Sequence, residues 1–314
     1  MIINIYGVKD GWYLQSVVDA IMKYSDKSIE KRFIHYKDPI VYPDGINFFC
    51  NMGIYEIYLR NKVPPAIRDV ILTTHIERWR PWNIRSKRLY YLPVTLIAFC
   101  RRWYDFFVRH GIHPVDIAIP GVDEEFFNIE PDKTKKDKKT IALISRLQLS
   151  GRKGGEWFKP LLKKIGKDFK WLIIGDLWES LLENQFFKNY DITYIKTPPK
   201  QEYYNLFRTF DIFLSLSKIE GGPMPLIESM AAGVVPVVSD TGFANEVIKE
   251  GESGFVYPVG NLRKLVKILE FLKDKDINGY KQKAKQDAKP YTWKNFVLTI
   301  IAVISDVNKK LGQK

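Results

Sequence analysis

The sequence predicts an α/β protein made of two doubly wound domains, each a parallel sheet with helices on both faces. Short β-branched runs alternate with helical patterns along the whole chain, the arrangement expected of parallel sheets connected through helices. The alternation is broken once, by the charged stretch Pro131 to Lys139 (PDKTKKDKK), which has no apolar period and reads as a linker. It restarts at Thr140, and that restart implies a second domain.

In the first half the strand candidates are Ile2 to Tyr6, Arg32 to His35, Asp69 to Thr73, Val94 to Phe99 and Val115 to Ile119, with helices over Trp12 to Tyr24 and Arg101 to His110. In the second half they are Thr140 to Ser145, Trp171 to Ile174, Ile192 to Ile195, Ile212 to Leu216, Val234 to Val238 and the short Gly254 to Tyr257. Leu262 to Leu272 reads as a helix, and Trp293 to Val307 as an apolar-rich terminal one. The expected division is residues 1–120 and 121–292, with the helix of about 293–314 packing back on the first domain. Ligands of open α/β sheets bind beyond the carboxyl ends of the strands, so two such domains are expected to face a central cleft.

With 314 residues and 46% hydrophobic content, the chain can bury two ordinary cores. Only Cys50 and Cys100 are present, which excludes a disulfide framework and points to a reducing, cytoplasmic setting. The opening MIINIYGVKDGWYL reads as a first strand, without the basic start and long apolar run of a signal peptide. No segment approaches the roughly 20 unbroken apolar residues that span a bilayer. The net charge of +13 suits phosphates, nucleic acid or anionic lipid, or an ordinary solvated surface.

The most informative stretch is Ser217-Lys-Ile-Glu220-Gly-Gly-Pro-Met-Pro-Leu-Ile-Glu228-Ser-Met-Ala-Ala-Gly233-Val-Val-Pro236-Val-Val-Ser239, read as strand, tight turn, helix and strand. Pro225 suits a first helical turn, where a missing N–H costs nothing. The amides of Gly221, Gly222, Met224, Leu226 and Ile227 then stand ready for an anion such as a diphosphate. Glu220 precedes the turn and Glu228 is expected in the first helical turn, so both can face one site.

This pattern resembles the retaining family-4 glycosyltransferases of the GT-B fold, whose signature is Glu, seven residues, Glu, then Ala-Met-Ala-x-Gly-x-Pro-Val-Val. The likeness continues through Thr241-Gly242, Glu246, Gly251 and Gly254-Phe255, and earlier through Ile119-Pro-Gly-Val-Asp123, Ser145-Arg146-Leu147 and Lys153-Gly154. Three positions depart from it: Leu216 in place of proline, Ser229 in place of alanine, and Lys196-Thr197 where a glycine opens the loop near the base. The resemblance implies a hexosyltransferase-like enzyme that uses a nucleotide-diphosphate sugar and needs neither cofactor nor metal. On that reading Arg146 and Lys153 meet the donor diphosphate, Glu228 holds the ribose hydroxyls, and Glu220 lies by the anomeric carbon. It also implies a sugar contact for His75 at a strand end, and approach of the Gly7 and Gly11 turn to the donor.

Asp274-Lys275-Asp276 has the short form of a metal motif but lies in a lysine-rich stretch, so no metal site is expected. Between residues 78 and 109, Arg78, Arg80, Arg85, Lys87, Arg88, Arg101 and Arg102 interleave with Trp79, Trp82, Tyr90, Tyr91 and Trp103. Such a mixture suits peripheral contact with an anionic membrane, stacked bases and phosphates, or plain solvent. Alternative functions are therefore a nucleic-acid-modifying transferase and a non-catalytic sugar-nucleotide or nucleic-acid binding module.

Overall fold

The computed structural model describes residues 1–9, 12–37, 40–60, 64–74, 92–112, 115–130, 137–148 and 150–313. The chain divides into two compact units, Met1–Gly121 with Tyr291–Lys314, and Val122–Pro290. The changeover between Gly121 and Val122 lies upstream of the charged stretch, so that stretch belongs to the second unit.

Strands β1 (Ile2–Gly7), β2 (Glu30–His35), β3 (Ile46–Phe49), β4 (Asp69–Thr73), β5 (Thr95–Ala98) and β6 (Asp116–Ile117) form the first sheet. It is wholly parallel, in the order β2-β1-β3-β4-β5-β6. Helices α1 (Trp12–Tyr24), α2 (Met52–Arg60) and α3 (Arg101–Arg109) belong to this unit. In the second unit β7 (Thr140–Ile144), β8 (Lys170–Ile174), β9 (Ile192–Ile195), β10 (Ile212–Ser215), β11 (Val235–Ser239) and β12 (Phe255–Tyr257) pair in parallel in the order β12-β11-β10-β7-β8-β9. Counted within the unit this is the 3-2-1-4-5-6 arrangement of a Rossmann sheet. Its helices are α4 (Phe158–Ile165), α5 (Glu179–Leu182), α6 (Lys200–Leu206), α7 (Met224–Ala231), α8 (Ala244–Val247), α9 (Leu262–Lys273) and α10 (Asn278–Ala288). The terminal helix α11 (Trp293–Gly312) returns to the first unit.

The inner strands of the second sheet read as near-continuous apolar runs because both faces are covered, whereas the edge strand β9 exposes Thr193. Phe158, Leu161, Leu162 and Ile165 of α4 pack over Trp171, Ile173, Ile212 and Leu214, all buried. In the first unit a polar ladder crosses the sheet in register: Asn4 pairs opposite Asn47, and Asn47 opposite Asp69. Asn4 Nδ2 donates to Asn47 Oδ1 at 3.0 Å, and Asn47 Nδ2 to Asp69 Oδ1 at 2.8 Å. Burial pushes the Asp69 carboxyl up, opposed by donors from Asn47, the Ala66 amide and the Tyr55 hydroxyl. A one-residue slip would strand these groups in an apolar core, so the ladder fixes the register.

Three elements not expected from the sequence are present, one strand and two helices. Strand β3 carries Asn47 at its centre and follows Pro43-Asp44-Gly45, which hides it among turn residues. Helix α2 follows directly on it. Helix α10 buries little more than Ala284 and Ala288, leaving no apolar period to detect. Both cysteines are buried and unbridged.

Helix α11 starts with a cap, Thr292 Oγ1 accepting from the Asn295 amide at 3.2 Å. Its buried face, Trp293, Phe296, Val297, Ile300 and Ile304, packs mainly on α1, whose own Val17, Val18 and Ile21 are buried. Gly121 lies so close that a Cβ there would overlap the backbone of Trp293. Phe296→Ala should therefore cost about 3–5 kcal/mol. Urea unfolding followed by circular dichroism is expected to show the loss in the transition of the first unit; an unchanged midpoint would show that the helix contributes little.

Candidate functional site

In the second sheet the strand order reverses between β7 and β10, and the loops leaving them diverge. This is the switch point at which open α/β sheets bind ligands. The loop after β7 ends at Gly154, whose φ of +69° favours glycine and whose added Cβ would overlap the Leu216 carbonyl oxygen. The two loops are thereby pressed together. The Lys218 amide donates to the Arg152 carbonyl at 2.7 Å, and Lys218 Nζ pairs with Glu156.

That contact brings two cations to Glu220. Lys153 Nζ stands 2.5 Å from Glu220 Oε1, and Arg152 Nη1 3.4 Å from Oε2. Ser217 Oγ donates to Oε1 at 2.8 Å. Arg152 is braced by Gln148 Oε1 at 3.0 Å and the Ile219 carbonyl at 3.3 Å. Glu220 is 5% exposed, and a carboxylate so buried is tolerable only when paired and hydrogen-bonded in this way. Arg152 and the Ser217 contact were not expected from the sequence. The available signal for Arg152 was its place beside Lys153 in a loop bounded by glycines.

The turn after Glu220 is equally tight, since a Cβ on Gly222 would overlap the Phe243 ring. Among the described residues the amides of Gly221, Gly222 and Met224 donate no hydrogen bond, and Pro225 lies in the first turn of α7. Two expectations are corrected here. Glu228 is the fifth residue of α7, in its second turn and not its first, because the helix begins at Met224, one residue before Pro225. The Leu226 amide is taken by the Pro223 carbonyl at 3.0 Å and does not face an anion. The side chains of Leu226 and Ile227 are core residues, each 0% exposed.

Glu228 lies in a second polar cluster. Tyr203 of α6 donates its hydroxyl to Glu228 Oε2 at 2.5 Å. Its neighbour Tyr204 donates to Asp123 Oδ2 at 2.5 Å, and Lys200 Nζ stands 3.0 Å from the same oxygen. Burial pushes the Glu228 carboxyl up to about 7; the Tyr203 hydrogen bond opposes this, the Asp123 charge adds to it, and Lys200 opposes it again.

Other candidates fall elsewhere. Arg146 is exposed just past β7, with no ion pair among the described residues. Gly7 ends β1, its Cα side against Val18 and Cys50. His75 and Gly11 lie outside the described residues, as do residues 78–91 of the basic aromatic region. Its remaining part is α3, where Arg101 pairs with Asp105 at 3.0 Å and lies over the Tyr104 ring, and Phe107 is buried. Among the described residues no cluster of His, Cys, Asp or Glu could hold a metal, and no helix is long and apolar enough to cross a membrane.

Two Rossmann-like units of six parallel strands, with a glycine turn and paired glutamates at a switch point, define the GT-B fold. Solved structures share it across nearly their whole length. Sucrose-phosphate synthase from Thermosynechococcus elongatus matches with a TM-score of 0.77 at 11% identity, over 99% of this chain and 100% of that one. A glycosyltransferase from Rickettsia africae matches with a TM-score of 0.72 at 16% identity, over 98% of both chains. The Anabaena protein HepE in complex with UDP-glucose matches with a TM-score of 0.73 at 13% identity, over 98% of this chain and 100% of that one. No curated protein matches the sequence. The family of glycosyl transferases group 1 matches residues 126–293, more than half the chain, and the protein belongs to that family.

The raised carboxyl gives a stability signature. Unfolded, Glu228 loses its proton near its ordinary value of 4.5; folded, near 7. The stability it contributes is complete below the lower value and is lost as pH rises through the upper one. Glu228→Gln is expected to match the parent in Tm near pH 4.5 and to exceed it at about pH 8. Parallel Tm curves across that range would show that the carboxyl titrates normally.

Proposed function

We propose that the chain transfers a sugar from a nucleoside-diphosphate donor to an acceptor hydroxyl, retaining the anomeric configuration and using no metal ion. The observation that carries this is the convergence of Glu220 and Lys153 at the switch point, within the segment that matches the family. The UDP-glucose bound by the Anabaena protein of the same fold supports the donor class.

The donor diphosphate lies against the glycine turn, where the amides of Gly221, Gly222 and Met224 point toward developing negative charge. Lys153 exchanges part of its pairing with Glu220 for the leaving phosphate, and Arg146 is drawn in from its exposed position. Glu228 accepts hydrogen bonds from the ribose. The bond from anomeric carbon to phosphate oxygen breaks with its electron pair on the diphosphate. The acceptor oxygen attacks from the same face, and its proton passes to the departing phosphate oxygen. Glu220 stabilises the positive charge that builds on the sugar in between, with Arg152 and Ser217 holding its carboxylate in place.

UDP-, GDP- and ADP-sugars are to be screened for a rise in Tm, since a ligand of the folded state alone raises it. One of them is expected to stabilise the protein and to be turned over equally well with EDTA present. Product examined by NMR should keep the donor's anomeric configuration; an inverted product, or activity lost to EDTA and restored by manganese, would overturn the mechanism.

The two glutamates separate in kinetics. Glu228 acts on a ribose that is unchanged by reaction, so Glu228→Ala should weaken donor binding with turnover little altered. Glu220→Gln should lower turnover by about 10²-fold or more, with donor affinity changed much less. Calorimetry paired with steady-state rates distinguishes the two; normal turnover by Glu220→Gln sinks the assignment.

A further inference from the structure

We infer that Tyr203 is a positioning residue for donor recognition, fixing one oxygen of Glu228 so that the other is presented to the nucleotide ribose. This rests on the donor-binding role proposed for Glu228.

The two oxygens of the Glu228 carboxyl are not equivalent. Oε2 accepts the Tyr203 hydroxyl at 2.5 Å. Oε1 accepts no hydrogen bond among the described residues and is not sealed from solvent. A glutamate on a helix has three side-chain torsions to fix, and an unheld one samples several rotamers before a ligand arrives. Anchoring one oxygen removes most of that freedom and leaves a single acceptor aimed outward, which is the preorganisation that raises affinity without adding a ligand contact.

The anchor is itself rigid. Tyr203 is 6% exposed, with its ring edge-on to Phe126 at 6.2 Å and to Phe207 at 5.1 Å. Phe126 also packs against Tyr204 at 4.8 Å. It belongs to the 3₁₀ helix Glu124–Asn128, which follows Asp123. Adjacent tyrosines of α6 thus each donate to a different carboxylate, Tyr203 to Glu228 and Tyr204 to Asp123. Among the described residues the charged and titratable groups around Glu228 are Tyr203, Asp123 and Lys200, with Lys200 held on Asp123 at 3.0 Å. Removing the Tyr203 hydroxyl leaves Asp123 and Lys200 where they are and deletes one donor to the carboxylate form. Nucleotide binding that needs the ionised Glu228 should then demand a higher pH.

The test measures UDP binding by calorimetry between about pH 5.5 and 8.5, a range that brackets the Glu228 transition. If UDP does not bind, GDP and ADP are tried in turn. Parent, Tyr203→Phe, Glu228→Gln and the double variant are compared. Tyr203→Phe keeps the ring and its packing. It is expected to weaken binding roughly tenfold at neutral pH, to leave kcat nearly unchanged, and to move the pH midpoint of binding upward. In the Glu228→Gln background the same substitution should cost little more, so the two changes couple. A Tyr203→Phe protein that binds with parental affinity and midpoint, or whose loss adds fully to that of Glu228→Gln, overturns the inference and leaves the donor reading standing. Failure of the parent to bind any of the three nucleotides overturns both.

Discussion

Gly154 seated on the carbonyl of Leu216 is the contact on which the site depends. Any side chain at 154 would collide with backbone, and backbone cannot move aside as a flexible side chain can. With the two loops in contact, the Arg152 carbonyl receives the Lys218 amide, and Arg152 and Lys153 are both delivered to Glu220. Separating these loops by even the width of a methyl group would take both cations from a buried carboxylate and leave it the Ser217 hydroxyl, which is costly in a protein interior. Local backbone packing and the electrostatics of the site are therefore one constraint.

The two glutamates of the turn show how the same side chain is given different properties by its surroundings. Glu220 is matched by two cations and a serine hydroxyl. Glu228, separated from Glu220 by seven residues and lying on a helix, has a tyrosine hydroxyl as its direct partner among the described residues and is pushed toward neutrality by burial. Surroundings this different fit the two carboxyls for different chemical parts. Glu220 already holds Lys153 and Arg152, so a diphosphate bound as proposed would take over part of that pairing.

Much of this architecture is legible in the sequence, and the failures have physical causes. Asp69 to Thr73 coincides with an observed strand because a fully covered parallel strand is an apolar run bounded by polar residues, whereas Ile192 to Ile195 coincides with an edge strand that exposes Thr193 and is legible from its β-branched and aromatic residues. Strand β3 is hidden because its central residue, Asn47, serves the polar ladder instead of an apolar core. Helix α10 is hidden because small alanines do its packing. In the site, Glu220, Lys153 and Glu228 are legible from spacing and resemblance. Arg152 and Tyr203 are not, since each acts through a contact between loops or helices distant in sequence, 68 and 25 residues apart. Ser229 departs from the family pattern by burying a hydroxyl with no partner among the described residues; nothing in the structure explains it.

The return of α11 to the first unit has a consequence for how the chain is assembled. The second unit is a continuous stretch, Val122–Pro290, inserted within the first, which is made of Met1–Gly121 and Tyr291–Lys314. On the ribosome the inserted unit has all its residues in hand while the first still lacks the helix that covers α1. Vectorial synthesis ordinarily lets the amino-terminal part fold first. Here the first unit can be completed only after the second has been made, because helix α11 follows it in the chain.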